Sequence, residues 1–235
     1  MKITKSILMA RPDMQASVIV FPGSNCDRDV AVCIEAAMGK TPLMAWHGDS
    51  DLPKSDLIVL PGGFSYGDYL RCGSMAANSP IMREVVTQAK KGAAVLGICN
   101  GFQVLTECGL LPGVLMQNKG LNFVCRNTRL TVTNNKTAFT AQYKAGEEIT
   151  VPVAHNEGNY FADDDTLRRL QDEDCIAFTY AEGDNPNGAC LDIAGICDPS
   201  GRIVGMMPHP ERRAEAALGG EDGKRMFSGI VEALS

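Results

Sequence analysis

Apolar residues come in short runs along this chain, set apart by helix-length stretches in the first half and by turn-rich segments in the second. Val18-Ile19-Val20-Phe21 is a solid apolar run that stops at Pro22-Gly23-Ser24-Asn25, which predicts a buried strand followed by a helix from about Asp27. Residues 41–46 and 57–60 repeat the signature, the latter ending at Pro61-Gly62-Gly63. Ser79-Pro80 opens a helix that runs to about Lys91, with the proline at the first helical position, where an amide hydrogen would have no partner. Residues 93–98 form a fourth strand that turns at once into a helix from about Asn100 to Cys108. Runs apolar on both faces and alternating with helices predict an open, mostly parallel α/β sheet with helices on both faces.

The second half reads differently. Residues 122–124, 129–133, 149–154, 176–180 and 203–207 look like strands with turn-rich connections, so some of them should form an antiparallel patch beside the main sheet. A last helix spans about residues 222–234. No internal repeat or linker interrupts the pattern, which predicts one domain over 16–235 and an N-terminal extension over 1–15.

Composition narrows the function classes. A net charge of −6 argues against duplex nucleic acid or an anionic membrane as the main partner, since both demand a basic surface. Nine cysteines with no Cys-x-x-Cys pair suit neither a zinc site nor a disulfide framework, so a reducing, cytoplasmic setting is expected. Ile7-Leu8-Met9 after two lysines is too short for a signal peptide, and no run approaches the roughly 18 apolar residues of a membrane span.

The chemistry concentrates in Gly97-Ile98-Cys99-Asn100-Gly101, at the fourth strand-to-helix turn. This is the thiol counterpart of the Gly-x-Ser-x-Gly nucleophile elbow, in which small flanking residues let a strained turn hold the nucleophile clear of the chain. Cys99 then projects from the C-terminal edge of a parallel sheet and sits at a helix N-terminus, whose dipole favours a thiolate. The Asn100 amide points the same way as half of an oxyanion hole. The other eight cysteines read as small buried hydrophobes. Of the three histidines, His209 lies in Pro208-His209-Pro210-Glu211. The prolines impose an extended path, and residues two apart then share a side, so Glu211 reaches the imidazole as orienter of a base. His47 reads as structural or exposed, and His155-Asn156-Glu157-Gly158-Asn159-Tyr160 as a ligand-facing loop after a strand. Gly62 and Gly63, directly after a strand, free backbone amides to approach a substrate carbonyl, with Gly63 as the second oxyanion donor. Phe64, Tyr66, Tyr69 and Arg71 follow on a loop that little else explains and are residue types favoured at interface centres, so this loop is expected to face a partner. No metal-ligand spacing, Walker loop or dinucleotide turn is present.

These pieces together resemble the class I (triad) glutamine amidotransferase domain over nearly all of residues 16–234. The phrases Phe21-Pro22-Gly23-Ser24-Asn25-Cys26-Asp27, residues 61–73, Cys99 to Gln103 and Met207 to Arg212 are most similar to one branch of it. That branch comprises glutaminase subunits that supply ammonia for the ATP-dependent conversion of formylglycinamide ribonucleotide to formylglycinamidine ribonucleotide in purine biosynthesis. The resemblance implies a flavodoxin-like fold, a Cys99 thioester on L-glutamine, and glutamine contacts from Gly62, Gln103, His155, Gly158 and Tyr160. It implies no cofactor in this chain, with ATP and Mg used by a synthase subunit, and a small third subunit in the assembly. Two positions depart from the family pattern: Asn156 stands where glycine is expected, and the segment before Met14 is additional. The rival readings are a glutaminase subunit serving another acceptor and a cysteine-elbow redox or stress protein, which would need no Pro-His-Pro-Glu segment.

Overall fold

The computed structural model describes residues 11, 13–68 and 72–234. Strands β1 (Ala16–Val20), β2 (Leu43–Trp46), β3 (Leu57–Leu60) and β4 (Ala94–Ile98) alternate with helices α1 (Asp27–Met38), α2 (Cys72–Ala77) and α3 (Met82–Lys90). Helix α4 (Asn100–Glu107) follows β4 after a single residue. Then come β5 (Val114–Met116), β6 (Val124–Val132), β7 (Glu148–His155), β8 (Asn159–Phe161), α5 (Asp164–Asp172), β9 (Ile176–Tyr180), β10 (Ile193–Cys197), β11 (Ile203–Met206) and α6 (Lys224–Leu234).

Nine strands form one sheet in the order β2-β1-β3-β4-β11-β10-β9-β6-β7. The first five pair in parallel, and from β11 onward every pairing is antiparallel. Most of the expected antiparallel patch thus continues the parallel sheet through β10, and β5 and β8 form a separate antiparallel pair. Helix α1 packs on α6 and α2 on α4. Strands β3 and β4 are buried throughout, as their unbroken apolar runs require of strands covered on both faces. Strand-to-helix punctuation behaves as the chain chemistry dictates. Asp27 and Asp29 lie in the first turn of α1, where the dipole favours them, and Gly39 closes it at φ 70° with its amide on the Glu35 carbonyl.

Six elements differ from expectation. Residues 122–133 do not make two strands but one, β6, because Val124 to Thr131 pair continuously with β7. Strands β5, β8 and β10 and helices α2 and α5 were not expected. Helix α5 buries only Leu170, so no apolar stripe marks it; its start is set by Asp163, whose carboxylate caps the Thr166 amide at 2.7 Å. Among the described residues, no helix is long and apolar enough to cross a membrane. The expected 1–15 extension lies mostly outside the described residues, but Met14 is fully buried and Gln15 donates its amide to Asp56, so the domain begins by Met14.

Candidate active site

Three adjacent parallel strands end at the same level, and each delivers one part of the site. Leu60 of β3 is in register with Gly97 of β4, and Met206 of β11 with Ile98. The residues just beyond are therefore the Pro61-Gly62-Gly63 turn, Cys99 and the path to His209, brought together by register alone.

Cys99 has φ 52° and ψ −109°, outside the regions that L-residues favour, and its amide is tied to the Met206 carbonyl at 2.8 Å. The elbow is possible because its flanks carry no side chains. A Cβ on Gly101 would stand 1.9 Å from the Leu60 carbonyl oxygen, and one on Gly97 2.6 Å from that of Gly101. The Cys99 carbonyl accepts from Phe102 and Gln103, so α4 starts immediately and aims its N-terminus at the thiol. Strain of this kind, worth about 1–3 kcal/mol, persists only where the surroundings impose it.

Nδ1 of His209 lies 2.6 Å from Oε1 of Glu211, and both side chains are buried. Pro210 and Glu211 begin a short 3₁₀ turn, so the segment is not extended as expected, yet the two side chains still meet. The His209 amide donates to Pro152 of β7 at 2.8 Å, and the Cys99 thiol faces the Ala154 carbonyl at 3.7 Å. Strand β7, last in the sheet, thus returns over the site. The imidazole and the thiol flank one point: a Cβ on Gly62 would be 2.7 Å from Cε1 of His209 and 2.8 Å from Cβ of Cys99. Burial alone would lower the His209 pKa, but the Glu211 carboxylate, and after it Cys99 and Cys26, outweigh it and hold the imidazole well above its ordinary value. A buried thiol, an imidazole beside it and a carboxylate behind that imidazole are the parts that a nucleophile with its base and orienter requires.

The remaining expected residues divide. His155 is buried; its Nδ1 pairs with Asn118 Oδ1 at 3.1 Å, and its pKa is lowered to about 4, by burial and then by His209. The Asn118 oxygen also accepts the Gly158 amide at 3.0 Å, so His155 and Gly158 are bound into one turn. Asn156 in that turn does not adopt positive φ, so glycine is not required there. Gln103 donates to the Glu157 carbonyl at 2.8 Å and accepts from Asn100 and Cys72, tying α4 to the same turn. Tyr160 has no exposed side-chain surface. Its ring stacks on Phe102 and its hydroxyl donates to the Pro112 carbonyl, so it supports the turn from within the core and offers a ligand no surface.

On the loop expected to face a partner, Phe64 is 47% exposed and stacked on Phe123. Tyr66 corrects the expectation: at φ 52° its hydroxyl turns inward to His47 Nδ1 and Ser79 Oγ, 3.0 Å from each. Tyr69 and Arg71 lie outside the described residues. Cys125 is exposed, unlike the buried role read for the non-catalytic cysteines. Reasoning from spacing missed Asn118 and Cys26; the latter reaches His209 from 183 positions away, which no local pattern signals. The Cys26 sulfur, a His209 ring nitrogen and a Glu211 oxygen come within 4.8 Å of one another, but the Arg212 guanidinium 3.2 Å from that sulfur disfavours a metal ion there.

Residues 13–219 match the CobB/CobQ-like glutamine amidotransferase domain. The chain is 60% identical over 220 residues to the phosphoribosylformylglycinamidine synthase subunit PurQ of Novosphingobium aromaticivorans, covering 93% of this chain and 97% of the relative. It is 57% identical to the subunit of the same name from Roseobacter denitrificans, covering 94% and 99%. Among solved structures it is similar to a chain of PurLQS from Thermotoga maritima, with a TM-score of 0.84, 43% identity and coverage of 94% and 99%.

Proposed function

The chain belongs to the CobB/CobQ-like glutamine amidotransferase family, in the branch of synthase subunits named PurQ, and from that premise we propose that it is a glutaminase subunit of phosphoribosylformylglycinamidine synthase. Its substrate is L-glutamine, and its ammonia passes to an ATP-dependent synthase subunit that amidates formylglycinamide ribonucleotide in the cytoplasm. A small third subunit completes the assembly. The Thermotoga maritima neighbour, described as PurLQS, supports both partners. The observation that carries the reading is the meeting of Cys99 and His209 across Gly62, with Glu211 behind the imidazole.

The chemistry follows from that geometry. Nε2 of His209 takes the thiol proton while Nδ1–H is held by Glu211. Sγ of Cys99 attacks the side-chain carbonyl carbon of glutamine, and the oxyanion is met by the amides of Asn100 and Gly63. As the tetrahedral intermediate collapses, the imidazolium gives its proton to the departing nitrogen, so ammonia leaves and a thioester remains. Water, deprotonated by Nε2, attacks the thioester; glutamate leaves and the proton returns to sulfur. Each group is used twice and none is consumed.

Cys99 is 2% exposed and lies against Gly62, so a small rearrangement around the thiol would ease the approach of glutamine. This favours a glutaminase that works when docked over one that works alone. The test is glutamate release by the chain with and without the synthase subunit, ATP and formylglycinamide ribonucleotide. Cys99→Ala should abolish glutamine-dependent synthesis and leave ammonia-dependent synthesis in the complex intact. Glutamine hydrolysis near the wild-type rate in Cys99→Ala would sink the assignment.

A further inference from the structure

Cys26 touches the triad yet takes no part in the chemistry above. Its sulfur lies 3.8 Å from Nδ1 of His209, the same nitrogen that Glu211 engages at 2.6 Å. The side chain is 1% exposed, at the residue that precedes α1. Its own hydrogen faces Asn25 Oδ1 at 3.9 Å, and Arg212 donates to the sulfur at 3.2 Å. With the thiol hydrogen spent on Asn25, the sulfur is left as an acceptor, ringed by two donors.

Nδ1 carries one hydrogen both in the neutral tautomer that leaves Nε2 as base and in the imidazolium. Two acceptors therefore compete for one hydrogen. Carboxylate is the stronger, and the sulfur stands where the hydrogen goes if the carboxylate shifts. We propose that Cys26 is a positioning residue for the reaction, a second acceptor for the Nδ1 hydrogen of His209 that keeps the imidazole turned toward Cys99. The catalytic consequence rests on the glutaminase reading; the contact itself does not.

The surroundings of Cys26 fit that role better than mere space filling. The loop that carries it is also pressed against the glycine turn. Gly63 has φ 118°, and a Cβ on it would stand 2.3 Å from Asn25 Oδ1, 2.6 Å from Asn25 N and 3.2 Å from Cys26 N. One short segment thus braces the base from behind and the Gly63 turn from the side, so a shift of either is felt by the other. Filling the Cys26 position with an alkyl group would also turn the Arg212 guanidinium against carbon, which no apolar core position would tolerate without cost.

The charged and titratable groups around His209 are Glu211, Cys99, Cys26 and His155, with Arg212 beyond Cys26. Glu211, Cys99 and Cys26 favour the imidazolium, and His155 is neutral above about pH 4. Removing Cys26 therefore lowers the His209 pKa.

The chain has three histidines, so each imidazole can be followed by NMR through a pH titration and assigned with His47→Gln and His155→Gln. In Cys26→Ala the His209 midpoint should fall by about half a pH unit or more, while Cys26→Ser, which keeps an acceptor, stays near wild type. Cys26→Val fills the space without an acceptor and serves if the alanine variant does not fold. An unmoved midpoint in a folded Cys26→Ala or Cys26→Val protein overturns the inference, whatever the chain hydrolyses. In the assembled synthase, kcat for glutamate release should fall roughly tenfold in Cys26→Ala with KM unchanged. Combined with Glu211→Ala, the loss should exceed the product of the two single losses, because each acceptor covers for the other. A double variant that loses no more than that product overturns it. A wild-type complex that releases no glutamate would overturn the functional reading, and the titration would still decide the role of Cys26.

Discussion

A methyl group on the α-carbon of Gly62 would stand 2.7 Å from Cε1 of His209. It would also stand 2.8 Å from Cβ of Cys99 and 3.1 Å from the Ile98 carbonyl oxygen. The elbow cannot give way, because Cys99 is fixed by the Met206 carbonyl and by Gly97 and Gly101 packed on backbone. His209 has to move. Gly62 does not need positive φ, so Gly62→Ala imposes this displacement without straining its own backbone. A displacement near 1 Å costs about a hundredfold in rate, so kcat for glutamate release should drop by about that factor. A kcat within twofold of wild type would show that imidazole and thiol are not held across this gap.

Glu211→Ala should be milder than His209→Ala. Losing the base removes proton transfer, whereas an imidazolium still forms without its orienter, and Cys26 remains on Nδ1. The difference in kcat should be about one to two orders of magnitude. Both residues are buried, so each variant also loses stability, and the comparison holds for proteins shown to be folded by their melting curves. Equal or reversed losses in kcat would contradict the roles assigned.

Legibility in the sequence followed the range over which each signal acts. The elbow could be read because its requirement is local: strand, small residue, cysteine, small residue, helix. His209 and Glu211 could be read because they sit two residues apart, although the backbone between them turns where an extended path was expected. Contacts made by register were out of reach. Cys26 meets His209, and Asn118 meets His155 and Gly158, only once the fold brings together segments far apart in the chain. Tyr66 was read by residue type as a surface for a partner, and Tyr160 by resemblance and by its loop as a contact for a ligand. Their hydroxyls instead bond to other groups of the chain, Tyr66 to His47 and Ser79 and Tyr160 to the Pro112 carbonyl, a choice that depends on the fold around them. Helix α5 escaped because a helix with one buried residue has no periodic signal.

His155 should make the protein acid-labile above the range where carboxylates titrate. Its folded pKa of about 4 lies below the unfolded value near 6.5, so the unfolded state binds the proton first. Its contribution is present above pH 6.5 and is lost as pH falls toward 4, by up to about 3 kcal/mol. His209 opposes this slope: its folded pKa is raised, so its contribution is complete only below the unfolded value near 6.5 and shrinks as pH rises above it, equally in wild type and in His155→Gln. Urea midpoints at pH 7, 6 and 5 should therefore fall more steeply for wild type than for His155→Gln. Parallel slopes would mean that His155 is not buried neutral.

Removing residues 1–13 should leave the domain intact. Residues 1–10 and 12 lie outside the described residues. Arg11 pairs with Asp56 at 2.8 Å with its side chain 43% exposed, and such a pair contributes about 1 kcal/mol at most. Met14 is fully buried and has to stay. The melting temperature should shift by less than about 3 °C. A larger drop, or lost glutamate release in the complex, would show that the segment docks on the domain.

Phe64 and Phe123 should form the centre of the surface that meets the synthase subunit. They are 47% and 44% exposed and stack at 6.1 Å and 15°, beside Leu121 at 72% exposure. Water is a poor neighbour for three such side chains together, and stacked aromatics are favoured anchors at interface centres. Phe64 is also joined to the site through the chain: it directly follows Gly63, and its amide is held by the Gly23 carbonyl at 3.1 Å. Pressure on this ring from a partner therefore reaches the glycine turn, the gap at Gly62 and the loop of Cys26. Phe64→Ala and Phe123→Ala should each weaken binding of the synthase subunit by about tenfold or more, with little change in the melting temperature of the isolated chain. Tyr66→Phe should do the reverse, lowering stability through the lost bonds to His47 and Ser79 while leaving binding nearly unchanged. Tyr69→Ala and Arg71→Ala extend the test along the same loop. Hydrogen exchange over residues 64–72 should slow when the partner is added, and exchange that does not change would place the docking surface elsewhere.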